Sequence, residues 1–205
     1  KNSLFEGPAR VPLVIAGAGL RAGQIVDTPV APVDLVRTVL EWGEPKRHPK
    51  MRGYSLRTML RGEPGDHPGW AYSESHSEGN LTGSFLVRKG DWKYIQFTWF
   101  DGLLFNLAED PGELVNRIHD PAAAGVLKEL QAILASQVDP VEVTERAFRA
   151  QRKKMDSLAA TSSEAQMVEQ FRGRLGDGQA LALLGAYYGH PLAAPATPAK
   201  IHIET

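Results

Sequence analysis

Apolar positions in the first part of the chain come in two forms, a continuous run and a helical stripe. Residues 11–16 read VPLVIA, with Pro12 near the start and Gly17 and Gly19 after the end, the pattern of a strand buried on both faces. Periodicity alone does not separate such a run from buried helix. The next segment adds direction. Pro32 stands where a first helical turn accepts it, Asp34 complements a helix N-terminus, and Leu35, Val36, Val39 and Leu40 form one apolar stripe before Gly43. Strand followed by helix predicts an α/β layer.

From Gly43 to Gly69 the composition shifts to Gly, Pro, His and Arg around one helical patch, YSLRTMLRG, and predicts a surface connection. Residues 70–76, 84–87 and 92–97 are short β-prone runs separated by turn signals such as Lys89-Gly90-Asp91, and residues 103–107 add one more. They predict an antiparallel meander. Within it Trp92 and Tyr94 alternate with Lys93, so the two aromatics share a face and read as packing residues. The acidic stretch AEDPGEL turns into a helix over residues 122–137, with Val126, Leu127, Leu130, Ile133 and Leu134 on one side. Residues 144–172 form a second helical stretch, highly charged and too poor in large apolar residues to stand alone in water. The remainder, rich in Ala, Gly and Pro, reads as a tail that wraps over something or is partly mobile.

Composition then narrows the classes. With 205 residues, 42% of them hydrophobic, the chain can bury a core as one globular domain or as one medium domain plus an appendage. A formal net charge of -1 and the lack of a basic face argue against nucleic acid as a partner. No apolar stretch approaches the roughly 20 residues that cross a bilayer, so the chain reads as soluble with no membrane partner, its compartment left open between cytoplasm and periplasm. There is no cysteine for a disulfide, a thiolate metal site or a nucleophile. The six histidines fall in no metal-ligand spacing, and GAGLRAG lacks the Lys-Ser/Thr of a phosphate loop, so no metal or nucleotide site is assigned.

Two motifs carry a more specific signal. KNSLFEGPARVPLVI, with Lys1, Phe5, Glu6 and then Arg10-Val11-Pro12, resembles the sulfatase pattern in which an active-site lysine precedes an aromatic-Glu pair and an RVP strand. Further on, RKGDWKY followed by LLFNLAEDPGELVN is similar to the sulfatase C-terminal hairpin and its "QLFDLxxDPxExxN" element, here with Leu103 for Gln and Asn106 for Asp. Both lie in the family's order and cover about the first two-thirds of the chain.

The resemblance implies an α/β fold in three parts: residues 1–69 as the C-terminal end of an alkaline-phosphatase-like sandwich, 70–140 as a small α+β subdomain with an antiparallel sheet and packed helix, and 141–205 as a helical and extended tail. It implies a sulfuric ester hydrolase whose formylglycine nucleophile and divalent cation, usually calcium, are supplied upstream of Lys1, which itself reads as a boundary. The expected partners are a sulfate-ester substrate, the N-terminal part of the same enzyme, and further copies of the chain in a homo-oligomer.

Lys1 is read as the catalytic residue present. Cleavage of a sulfate monoester moves negative charge toward the bridging oxygen, and a compact ammonium with three donors suits a tetrahedral anion. The bland alternative for Lys1 is a frayed terminal residue. His76, in the polar loop SESHSEGN at a strand end, and Glu74 beside it are read as substrate-binding, against the alternative of solvated loop residues. Glu6 and Arg10, four residues apart, read as a scaffold pair. Two competing readings stay open: a phosphonate monoester or phosphodiester hydrolase of the same superfamily, and a non-catalytic oligomerisation module.

Overall fold

The computed structural model describes residues 3–17, 19–43, 51–76 and 81–188. The chain divides into two compact units, residues 1–145 and 146–205.

The first unit is built on an antiparallel sheet of β1 (Trp70–Ser75), β2 (Ser84–Lys89), β3 (Trp92–Phe97) and β4 (Phe100–Asn106), paired in sequence order. This is the expected meander, except that β4 begins at Phe100, ahead of the expected residues 103–107, after a tight turn in which Trp99 takes a φ of 67°. Gly90, at φ 53°, makes the tight β2–β3 turn, where a side chain would be strained.

Side chains alternate across the sheet, and each face buries its own cluster. Phe85, Val87, Tyr94 and Leu104 face one way and pack with Leu130 and Leu134 of α4 (Ala124–Gln137), flanked by Trp92 and Tyr72. Leu86, Ile95 and Phe105 face the other way and receive Leu4. The α4 start is fixed by Asp120, whose side chain accepts the Ala122 N–H at 2.9 Å ahead of Pro121 in a single 3-10 turn.

Ahead of the sheet lie α1 (Glu6–Ala9), α2 (Pro32–Gly43) and α3 (Arg57–Arg61). Here the structure corrects two expectations. Residues 11–16 form no strand, and Val14 is 89% exposed. A ladder needs a neighbouring strand, and none lies alongside among the described residues.

The second correction concerns α2, which forms over the expected residues but turns its apolar stripe outward. Val36 and Val39 are exposed, whereas Asp34, Arg37 and Thr38 are buried. The chain crossing α2 satisfies two of those groups, while Arg37 pairs with Glu41 one turn along the helix: Asp34 accepts the Tyr54 N–H at 2.8 Å, and the Thr38 hydroxyl accepts the Leu56 N–H at 2.8 Å. Gly53, at φ 88°, permits this approach, since a Cβ there would lie 2.7 Å from the Val33 carbonyl oxygen.

α5 (Pro140–Ala159) begins in the first unit. Asp139 accepts the Val141 N–H at 2.9 Å, and Pro140 takes the first helical position. In the second unit, α6 (Glu164–Leu175) and α7 (Asp177–Tyr188) pack on each other around Met167, Ala180 and Leu184. The expected helical stretch over 144–172 is helical in two pieces, α5 and α6. Ser163 and Gln166 form a capping box that starts a new one, ending the continuity after Ala159. The part of the expected tail over Asp177–Tyr188 is helical, and the rest lies outside the described residues.

Among the described residues no helix is long and apolar enough to cross a membrane.

Candidate functional site

Lys93 is the residue that organises the face opposite α4. It stands in β3 between Trp92 and Tyr94, so alternation points it away from their cluster and into the Leu86–Ile95–Phe105 side, where it has no solvent exposure. A buried ammonium is tolerable only with partners, and it has two. Its Nζ lies 3.0 Å from Glu6 Oε1 and 2.8 Å from Glu113 Oε1. Glu6 also accepts from Arg88 Nη1 at 2.9 Å, and the Glu6 backbone N–H donates to Glu113 Oε2 at 2.5 Å. Two cations and two carboxylates thus form one closed network with no net formal charge. Glu113 enters it from a left-handed backbone, φ 55°, a conformation a non-glycine residue keeps only where its surroundings over-determine it.

The residues before Glu6 are gripped as well. Leu4 is buried, and the Phe5 ring meets that of Phe105 with centroids 6.0 Å apart. The expected Glu6–Arg10 pair does not form. The Glu6 carboxylate pairs with Arg88 and Lys93 instead, because the buried ammonium needs a counter-charge more than an exposed guanidinium does.

The turn that carries Glu113 is itself over-bonded. Asp110 accepts the Val115 N–H at 2.9 Å, and Asn116 accepts the Leu104 N–H at 2.9 Å. The Asn106 side-chain oxygen accepts the Ala108 N–H at 3.1 Å, so asparagine keeps the acceptor that aspartate would supply.

Glu74 and His76 lie elsewhere. Tyr72 and Glu74 share the α4-side face of edge strand β1, as their pairing with Val87 and Phe85 requires, and His76, just past the strand, meets the Phe85 ring. The Tyr72 hydroxyl donates to Glu74 Oε2, and His76 Nε2 lies 3.7 Å from the same oxygen. Burial first, and the Glu74 hydrogen bond second, push the Tyr72 phenol well above its ordinary value, so it stays a neutral donor.

The His76 ring stands edge-on to Phe85 at 5.1 Å, beside Gly83. Gly83 is close-packed there: a Cβ would fall 2.2 Å from Thr144 Oγ1 and 2.9 Å from His76 Nδ1. The Thr144 hydroxyl cannot simply swing away, being buried and 2.8 Å from the Thr98 hydroxyl. Gly83→Ala should therefore destabilise the protein by about 1–3 kcal/mol, measured by chemical denaturation. An unchanged midpoint would contradict this packing.

Of the three residues singled out from the sequence, Glu74 and His76 come together, within ion-pair distance. Lys1 lies outside the described residues. The segment that follows it, Leu4 to Glu6, packs on the opposite face of the sheet from Glu74 and His76. Sequence reasoning missed the Lys93 network. Its signal was available: a lysine at an inward-facing position of a central strand demands buried carboxylates. Among the described residues no group of three or more His, Cys, Asp or Glu is placed to hold a metal ion.

The residues of this network belong to three separated stretches of chain, and comparison with known proteins covers all of them. Residues 1–139 match the family described as N-sulphoglucosamine sulphohydrolase, C-terminal. Arylsulfatase K of Danio rerio is 36% identical over 160 residues, 73% of this chain and 29% of that protein. Arylsulfatase K of Homo sapiens is 34% identical over 128 residues, 57% of this chain and 24% of that protein. A solved 2-O GAG sulfatase superposes with a TM-score of 0.53 at 28% identity, over 66% of this chain and 30% of that one. The chain thus spans under a third of the length of these relatives. The family implies a metal ion and a formylglycine nucleophile. With the match over more than half its length, the chain belongs to the sulfatases of the alkaline-phosphatase superfamily, as their C-terminal part.

Proposed function

We propose that the intact protein hydrolyses sulfate esters and that this chain supplies its active-site lysine, Lys1. The observation that carries the reading is the closed network of Glu6, Arg88, Lys93 and Glu113, which fastens the segment following Lys1 to the sheet. Four charges so placed restrict where that segment can be. In the reaction the S–O bond to the alcohol breaks and charge moves onto the departing oxygen, and a held ammonium beside the sulfate opposes that charge without reorganising. When bound, the family's cation would supply further positive charge. We take it to be calcium, held with the formylglycine by the N-terminal part of the same enzyme.

That N-terminal part is also the partner that suits the outward apolar residues of 11–16 and α2. On this reading residues 1–69 complete the catalytic domain, 70–140 form the sheet subdomain and 141–205 the appended tail. Intact protein should release sulfate from 4-nitrophenyl sulfate far faster than it cleaves a phosphonate monoester. Preference for the phosphonate would move the assignment within the superfamily, and no turnover of either would leave a non-catalytic module.

His76, with Glu74 beside it, is proposed to contact the substrate from the end of β1. Its support is its place beside Glu74, just past the end of edge strand β1. His76→Ala should raise KM about tenfold, the loss of one hydrogen bond to a charged group. An unchanged KM would reduce His76 to a packing residue under Thr144.

Assembly into a homo-oligomer is proposed through α7. Within its own unit the Tyr187 hydroxyl donates to Asp156 at 2.7 Å and its ring lies under Arg152. Leu183 is 43% exposed and offers a contact. Leu183→Glu should lower the mass seen by light scattering, and an unchanged mass would remove α7 from the interface.

A further inference from the structure

We propose that the outer edge of β1 receives an extended segment from the N-terminal part of the same enzyme, as a fifth strand of the sheet. This rests on the family membership and not on the catalytic reading.

An open sheet has two edges, each with a row of backbone N–H and C=O groups that need partners. Which residues turn outward follows from the pairing. Lys89 and Trp92 flank the two-residue Gly90-Asp91 turn as a hydrogen-bonded pair, and such pairs recur at every second residue. On β2 the backbone groups of Arg88, Leu86 and Ser84 therefore point to β1, where they meet Ala71, Ser73 and Ser75. Trp70, Tyr72 and Glu74 are left pointing out. The same alternation leaves Gly102, Leu104 and Asn106 outward on β4.

The chain treats its two edges differently. On β4 the Leu104 N–H donates to Asn116 Oδ1 at 2.9 Å, and the Leu104 carbonyl accepts the Arg117 N–H at 2.8 Å. The Gly102 carbonyl accepts from Asn116 Nδ2 at 3.3 Å, and the Asn106 carbonyl accepts the Asp110 N–H at 2.8 Å. The turn after β4 thus closes that edge. On β1 the outward backbone groups of Trp70, Tyr72 and Glu74 have no partner among the described residues. Nor is this edge blunted: it has no Pro, no Lys and no bulge, its register with β2 is unbroken, and Ser73 and Glu74 are exposed.

The surroundings of β1 point to the occupant. The Trp70 ring meets that of Tyr54 at 6.1 Å, and the Tyr54 N–H is bound by Asp34 of α2. The open edge therefore begins beside the helix whose Val36 and Val39 also face outward. The chain spans under a third of its relatives, so the rest of the enzyme is large enough to cover both. Strand addition gives such a contact main-chain bonds that fix its register.

Hydrogen exchange of the intact enzyme, resolved to single residues by fragmentation mass spectrometry, tests this. A bare edge protects Ala71 and Ser73 through β2 but leaves Tyr72 and Glu74 open. With a fifth strand, Tyr72 and Glu74 should exchange within about tenfold of Ala71 and Ser73. A larger gap would overturn the proposal. Glu74→Pro deletes one outward N–H and leaves the β2 ladder whole, so it should speed exchange at Tyr72 about tenfold or more. Unchanged exchange there would also overturn it. If that variant does not fold, the wild-type comparison decides alone. Protection lost on dilution would give the edge to a second copy, and protection lost on truncation after Tyr188 would give it to the chain's own C-terminal residues. Either result contradicts the assignment to the N-terminal part.

Discussion

Lys93→Met should be among the most destabilising single changes in the sheet, by about 3–5 kcal/mol. Methionine keeps the length and the apolar stem, so packing in the Leu86–Ile95–Phe105 cluster is nearly preserved. What changes is charge. Glu6 and Glu113, both within 3.0 Å of the same Nζ, would be left facing each other beside the buried position 93, with Arg88 as the remaining cation of the network, paired with Glu6 alone. Breaking a buried pair leaves its partner's desolvation uncompensated, which is why the loss exceeds the value of the contact itself. Lys93→Met/Glu113→Gln removes one carboxylate as well and should regain most of the loss, because the network is again balanced. Urea denaturation followed by far-UV circular dichroism reads both. A midpoint for Lys93→Met equal to wild type would mean that the ions are not closed off as described.

How much of this was legible beforehand depends on whether the signal was local. The meander was readable because each strand carries β-branched or aromatic residues, such as Tyr72, Val87 and Tyr94, and Gly90 marks the β2–β3 turn. The helix after it was readable from Leu130 and Leu134 four apart.

The run at 11–16 states that it prefers burial but not what buries it, so apolar content alone could not supply the ladder. For α2 the stripe of Val36, Val39 and Leu40 was correctly placed on one side, yet Thr38 and Asp34 decide which side meets residues 53–57, through hydrogen bonds between segments about 20 residues apart. The break between α5 and α6 was local and was passed over: Ser163 with Gln166 is a capping box inside a stretch that helical periodicity ran through.

The site divides in the same way. The motif around Lys1 was recognisable as a string, but Glu6, Lys93 and Glu113 are separated by 87 residues in the first pairing, and only the fold turns three motif fragments into one network. Pairing Glu6 with Arg10 followed from helical spacing, which cannot see a buried ammonium waiting on a strand.

Lys1→Ala in the intact enzyme carries the largest expected effect on activity. The side chain's charge would face a sulfate whose bridging oxygen gains negative charge as the S–O bond breaks, so its contribution grows toward the transition state. Removing one such group costs about a hundredfold or more in kcat/KM, on the order of 3 kcal/mol. The loss should lie mainly in kcat, because the ground-state sulfate already carries its anionic charge and other groups can bind it. Folding should be untouched, since Glu6 and Leu4 keep their buried partners.

Whether this C-terminal chain completes a sulfatase active site is tested most directly by the kcat/KM of Lys1→Ala against wild type on 4-nitrophenyl sulfate. A drop of about a hundredfold or more with an unchanged denaturation midpoint is the predicted result, and full activity in the variant would contradict it.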